Sequence, residues 1–204
     1  MIKVLMGLCL FFLCCGCSES FTAEEKHIIN GSEGIMRVWK IDNREDSLFL
    51  RQMAKPLQKG ELKTMDFLKL KARMLITVND PSDPGVGIAA PQVGIGRQLV
   101  AVQRYDKPGT PFEFYVNPKI EYYSKAQALG MEGCLSVPAI ADSVWRSTEI
   151  VISYIPDGEE VEYERRQDTV KGFTAVIFQH EIDHLNGILF IDRIAGNMPM
   201  VAKK

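Results

Sequence analysis

The sequence predicts an α+β fold, with strands gathered in the middle of the chain and helices set apart from them. Three observations predict it. Two segments, Gly60–Asn79 and the stretch from Gly172 through His184, carry apolar residues at helical spacing. The region between them holds β-like runs separated by turn residues. Helix and strand patterns do not alternate along the chain, so a parallel βαβ sheet is not expected.

In Gly60–Asn79, Phe67, Leu70, Met74 and Val78 recur at three- and four-residue steps, leaving Lys63, Lys69 and Lys71 to face water. Asn79-Asp80-Pro81-Ser82-Asp83-Pro84-Gly85 stops that helix and makes a loop. Strands are expected at Gln98–Gln103, Glu113–Val116 and Glu149–Tyr154. Ile155–Glu159 reads as a turn and Val161–Arg165 as the returning strand of a hairpin. The second helix runs from Gly172 to a stop at Asn186-Gly187, and Ile188–Ile191 follows as a short apolar strand.

The N-terminus has another character. Lys3 precedes an apolar run, Val4–Cys15, and then Gly16-Cys17. A run of about a dozen residues is too short to span a bilayer, which takes roughly 20. It fits the core of a secretory signal. Residues 1–17 are therefore expected to be a lipoprotein-type signal peptide, with Cys17 as the lipidated residue. Residues 18–36, polar and without apolar period, are expected to be a tether. Residues 37–204 form the catalytic domain in this reading. Four of the five cysteines (Cys9, Cys14, Cys15, Cys17) fall in the signal, leaving Cys134 alone in the body. A lone cysteine excludes an internal disulfide framework.

A net charge of -2 and the lack of a Lys/Arg cluster argue against a nucleic-acid partner. A small-molecule or peptide substrate is expected instead, with membrane contact only through the lipid anchor and a monomer favoured.

The chemistry is concentrated at His180 and His184, four residues apart in the second helix, with Glu181 beside the first. One turn separates the two imidazoles, so they share a face. This is the H-E-x-x-H pattern, in which the histidines bind a metal and the glutamate is placed to take a proton from water held by that metal. A catalytic metal needs a third protein ligand and an open position. No third histidine follows, and Cys134, in Gly130-Met131-Glu132-Gly133-Cys134-Leu135-Ser136, is the remaining soft ligand. Asp183 is read either as orienting a ligand or as capping local backbone.

Three segments together resemble the peptide deformylase family: Gly85-Val86-Gly87-Ile88-Ala89-Ala90-Pro91-Gln92-Val93-Gly94, Glu132-Gly133-Cys134-Leu135-Ser136 and Gln179-His180-Glu181-Ile182-Asp183-His184-Leu185-Asn186-Gly187. The resemblance covers about Val38 to Ile194. It implies antiparallel sheets around a central metal-binding helix. It also implies one divalent metal ion on Cys134, His180 and His184, with Fe²⁺ the usual ion and Zn²⁺ or Ni²⁺ able to replace it. The implied reaction is hydrolysis of the formyl group from N-formylmethionyl peptides, releasing formate. Glu181 is then the base, and the Gln92 side-chain amide and Leu135 backbone N–H are the donors to the developing oxyanion. The Val86-Gly87 backbone is expected to pair with an extended peptide. Val86, Glu132, Val176 and Ile177 match positions around the methionine pocket.

Two features depart from the family. Members often carry an arginine three residues after Pro138, where this chain has Ala141. A signal peptide also places the domain in the cell envelope, away from the ribosome; a translation start at Met36 would instead make it cytoplasmic. Hydrolysis of another small N-acyl compound, or metal binding without turnover, are the other functions compatible with the sequence.

Overall fold

The computed structural model describes residues 21–32, 34–157 and 163–194. In chain order come α1 (Ala23–Ile29), α2 (Arg44–Leu50), α3 (Met65–Val78), β1 (Gly87–Ala89), β2 (Leu99–Gln103), β3 (Phe112–Tyr123), β4 (Gln127–Cys134), β5 (Val137–Ser147), β6 (Glu149–Pro156), β7 (Arg166–Lys171) and α4 (Gly172–Leu185). Short 3-10 turns occupy Glu61–Lys63, Ala90–Val93 and Phe190–Arg193. Among the described residues no helix is long and apolar enough to cross a membrane.

The strands form two antiparallel sheets, one ordered β1-β2-β3-β6-β7 and the other the β4-β5 pair. The five-stranded sheet has a helix on each face. Leu99 and Ala101 of β2 pack with Phe67, Leu70, Met74 and Val78 of α3. Val100 and Val102 point the other way, into a cluster with Ala175, Ile177, Phe178, Ile182 and Leu185 of α4. A strand covered on both faces reads as a continuous apolar run, which explains Leu99-Val100-Ala101-Val102. Each such large side chain contributes roughly 1.5–3 kcal/mol by leaving water.

The core of α4 is therefore fixed from the five-stranded sheet. Its other side is fastened to the second sheet by a side chain acting as a strand partner. The Gln179 amide donates to Ser147 O at 2.9 Å, and Ser147 N–H donates to Gln179 Oε1 at 3.0 Å. Thus α4 sits between the two sheets, and whatever projects from it enters the gap between β1 and the β4–β5 hairpin.

Several expectations need correction. The stretch 18–36, expected as a tether, is structured where it is described. Thr22 and Glu25 form a reciprocal cap on α1. Glu25 accepts two hydrogen bonds at 3.0 Å from the buried Arg97 guanidinium, and Phe21, Ile29 and Met36 are buried. Acidic residues that look solvated in sequence are consumed by a partner 72 positions away. The helix over 60–79 begins only at Met65, because Thr64 caps Phe67 N–H. The strand expected at 113–116 runs on through Tyr123; of the return strand expected at 161–165, residues 161–162 lie outside the described residues and 163–165 precede β7, which begins at Arg166. Ile188–Ile191 is not a strand. Leu189 and Phe190 turn inward onto Val137 and Val144, which a 3-10 turn permits and an extended chain does not. The expected signal and Cys17 lie outside the described residues.

Candidate metal centre and substrate cavity

Helix α4 delivers His180 and His184 on one face, and β4 ends by delivering Cys134 opposite them. The donor atoms of the three residues lie within 4.8 Å of one another. Cys134 Sγ and His184 Nε2 are 3.2 Å apart. This separation suits two ligands of one tetrahedral ion, whose bonds to N and S are about 2.0–2.3 Å. Cys134 and His180 also line a cavity of about 620 Å³, so the ligand set has an accessible side. Two imidazoles, a thiol and an open side fit a catalytic metal, and this donor set takes zinc, iron or nickel.

The Nδ1 of His180 lies 2.8 Å from Glu132 Oε2, which leaves Nε2 for the ion. Glu132 in turn accepts from Arg146 Nε at 2.7 Å and Nη2 at 2.9 Å, and Arg146 Nη1 donates to Asp183 Oδ2 at 2.6 Å. Arg193 closes the chain by donating to Asp183 through Nε and Nη2, each at 2.5 Å. Burial alone would raise the Glu132 carboxyl. The hydrogen bonds from Arg146 and His180 outweigh it and bring the pKa down to about 2. Glu132 therefore stays ionised and orients the ligand. The same residue lines the cavity while it is engaged with His180 and Arg146. Among the described residues Asp183 makes no side-chain hydrogen bond to a ligand histidine; its carboxylate anchors the two arginines.

Glu181 is buried, and its Oε2 has no hydrogen-bond partner among the described residues. Burial pushes its pKa up to about 7. A carboxylate in that range exchanges protons readily near neutral pH. Gly87 makes room for it. A Cβ at Gly87 would lie 2.5 Å from Glu181 Oε1 and 2.8 Å from Ile177 Cγ2, so no larger residue fits without displacing the carboxylate. Gly87 belongs to β1, at the edge of the large sheet. Gln103 N–H donates to Val86 O on the β2 side at 2.9 Å. Backbone groups alternate along a strand, so those of Gly87 face the other way, toward the cavity.

Gln92 is held in a 3-10 turn with its Oε1 accepting from Ala89 N–H at 2.8 Å. That bond fixes the amide so that Nε2 points at the site, 3.5 Å from Cys134 Sγ and 3.4 Å from Ser136 Oγ. Leu135 occupies the turn between β4 and β5, lining the same cavity. Val86 and Val176 line it as partly or largely exposed residues. Ile177 lines it and also belongs to the core under the sheet. All eleven cavity and metal residues expected in the body of the chain thus meet in one place. Sequence reasoning missed Arg146 as a member. No local pattern marks it, because its partners lie 14 and 37 positions away.

A three-donor metal site with a buried carboxylate beside it, opening on a cavity bordered by an unpaired strand edge, has the layout of a metallohydrolase that acts on an extended substrate. A family model described as polypeptide deformylase matches residues 36–199. A peptide deformylase of Leptospira biflexa is 34% identical over 167 residues, covering 78% of this chain and 88% of that relative. One of Halalkalibacterium halodurans is 37% identical over 166 residues, covering 75% and 88%. The Met-Ala-Ser-bound class I type b peptide deformylase of Acinetobacter baumannii superimposes with a TM-score of 0.68 at 36% identity, covering 80% of this chain and 100% of that one. Its actinonin-bound form gives 0.68 at 34%, covering 79% and 99%. This chain belongs to the peptide deformylase family and is a metallohydrolase of that family.

Proposed function

We propose that the protein removes the formyl group from N-formylmethionyl peptides by metal-assisted hydrolysis, with Fe²⁺ as the preferred ion on Cys134, His180 and His184. The observation that carries this reading is the buried Glu181 carboxylate oxygen, unpartnered beside the three metal donors. A buried charge without a partner is costly, and such groups persist where function needs them. The family relationship supplies the substrate class.

A bound divalent ion supplies Lewis acidity, which makes water a nucleophile near neutral pH. Glu181 takes the proton that water gives up and passes it to the departing amine. The formyl carbon becomes tetrahedral, and its oxygen accepts from Gln92 Nε2–H and Leu135 N–H. Losing one such donor costs about 3 kcal/mol of transition-state stabilisation. Glu132, clamped by Arg146, holds His180 in its ligand tautomer. The Gly87 edge of β1 binds the peptide backbone as an added strand, and Val86, Val176 and Ile177 border the methionine side chain.

We propose further that the domain is held at the cell envelope through lipidated Cys17. The Val4–Cys15 apolar run and Gly16-Cys17 support this. Fractionation of wild type and Cys17→Ser tests it, and a cytosolic wild type overturns it. For the chemistry, the protein loaded anaerobically with Fe²⁺, and separately with Zn²⁺, is given N-formyl-Met-Ala-Ser and formate is measured. Release that is abolished by a chelator and by Glu181→Ala is the expected result. No release from protein with metal shown to be bound overturns the reading.

A further inference from the structure

The floor of the cavity does not account for its mouth. Val86, Met131, Ile140 and Phe173 line the cavity while remaining 36%, 68%, 44% and 54% exposed. Pro84, Ala139 and Ala141 lie among them. Apart from the site at the floor, the charged side chains lining this cavity are Lys40 and Asp83. Scattered exposed apolar residues are ordinary, but four large ones around one opening form a patch of the kind that marks a binding surface.

The backbone is shaped to make this patch. Gly133 pairs with Ala141, yet the next residue, Cys134, pairs with Val137. Residues 138–140 therefore bulge out of β5, and Ala139 takes a left-handed φ of 60°. An alanine adopts that conformation only at a cost, so the surroundings enforce it. The bulge sets Ile140 at the opening, next to the turn that carries Leu135.

A peptide laid along the Gly87 edge with its formyl group at the metal donors advances about 3.3 Å per residue and alternates its side chains. The residues after methionine then pass this mouth. We propose that Ile140, with Met131 and Phe173, forms a subsite for bulky apolar side chains in the positions following formylmethionine, so that the substrates are N-formyl peptides with apolar beginnings. The inference rests on the deformylase reading above and names its substrate class.

The test compares kcat/KM of the metal-loaded enzyme for N-formyl-Met-Leu-Leu and N-formyl-Met-Ser-Ser. A preference of at least about tenfold for the leucine peptide is expected, because two apolar side chains gain partial burial. In Ile140→Ser the ratio should fall to about threefold or less. In Ile140→Arg, N-formyl-Met-Glu-Glu should become a better substrate than N-formyl-Met-Leu-Leu. Ratios are taken within one preparation, so partial misfolding of a variant cancels. Equal kcat/KM for the two peptides in wild type, or ratios that neither variant moves, overturn the subsite and leave the deformylase standing. No formate from either peptide overturns both.

Discussion

At the floor of the cavity, nearly every functional side chain is held by another. His180 rests on Glu132, Glu132 on Arg146, and Arg146 on Asp183. Gln92 is pinned by Ala89 N–H, and Glu181 is fitted against Gly87. At the mouth, Ile140, Met131 and Phe173 stand exposed on a bulge, a hairpin and the first turn of α4, with the Tyr105 ring beside Phe173 and Ser143 Oγ donating to Met131 Sδ as their side-chain contacts. Both regions draw on the β4–β5 hairpin and on α4, and Met131 of the mouth is the chain neighbour of Glu132 of the floor. The difference shows how one scaffold keeps its chemistry fixed by interlocking polar groups while leaving its choice of substrate to single exposed side chains.

That contrast can be broken or sharpened by substitution. The largest effect is expected from Glu181→Gln: kcat should fall about 10³-fold, ~4 kcal/mol. Its thermal midpoint should stay level or rise, since a buried charge with an unpartnered oxygen is removed; a fall in both would mean that Glu181 holds the fold as well. Arg146→Met strips the guanidinium from the buried Glu132 carboxylate and leaves Asp183 with Arg193 alone. Urea unfolding should then show a loss of about 3 kcal/mol, and a loss under about 1 kcal/mol would mean the floor is less interlocked than its contacts imply. Gly87→Ala should lower kcat/KM about 10²-fold through displacement of Glu181, with the far-ultraviolet circular dichroism unchanged. The smallest effect belongs to the mouth: Phe173→Ser, which loses the Tyr105 ring contact, should change unfolding free energy by no more than about 1.5 kcal/mol. A larger change would show that the mouth is structural too.

The metal floor was legible in the sequence because its spacing is local. His180, Glu181 and His184 share one turn of helix, and Cys134 was the remaining soft ligand. The α3 pattern was legible for the same reason, with Phe67, Leu70, Met74 and Val78 all buried. What escaped depends on distant partners. Gln127–Cys134 has two glycines and few β-branched residues, so β4 reveals itself only by pairing with β5. Glu132 was expected at the methionine pocket and Asp183 either to orient a ligand or to cap local backbone. That Arg146 bridges the two carboxylates is set in space, and no periodicity announces it. Glu24 and Glu25 read as a solvated tether because Arg97, which claims Glu25, lies 72 positions on.

That last pairing bears on the proposed lipid anchor. With Phe21 buried under the Arg97 guanidinium, 5.4 Å from its ring centroid, and Glu25 gripped by the same arginine, the chain is fixed to the body at residue 21. From Cys17 to Phe21 an extended chain reaches at most about 14 Å. A lipid on Cys17 would thus act as a short leash. The body would then ride close against the bilayer, with little room to move away from it.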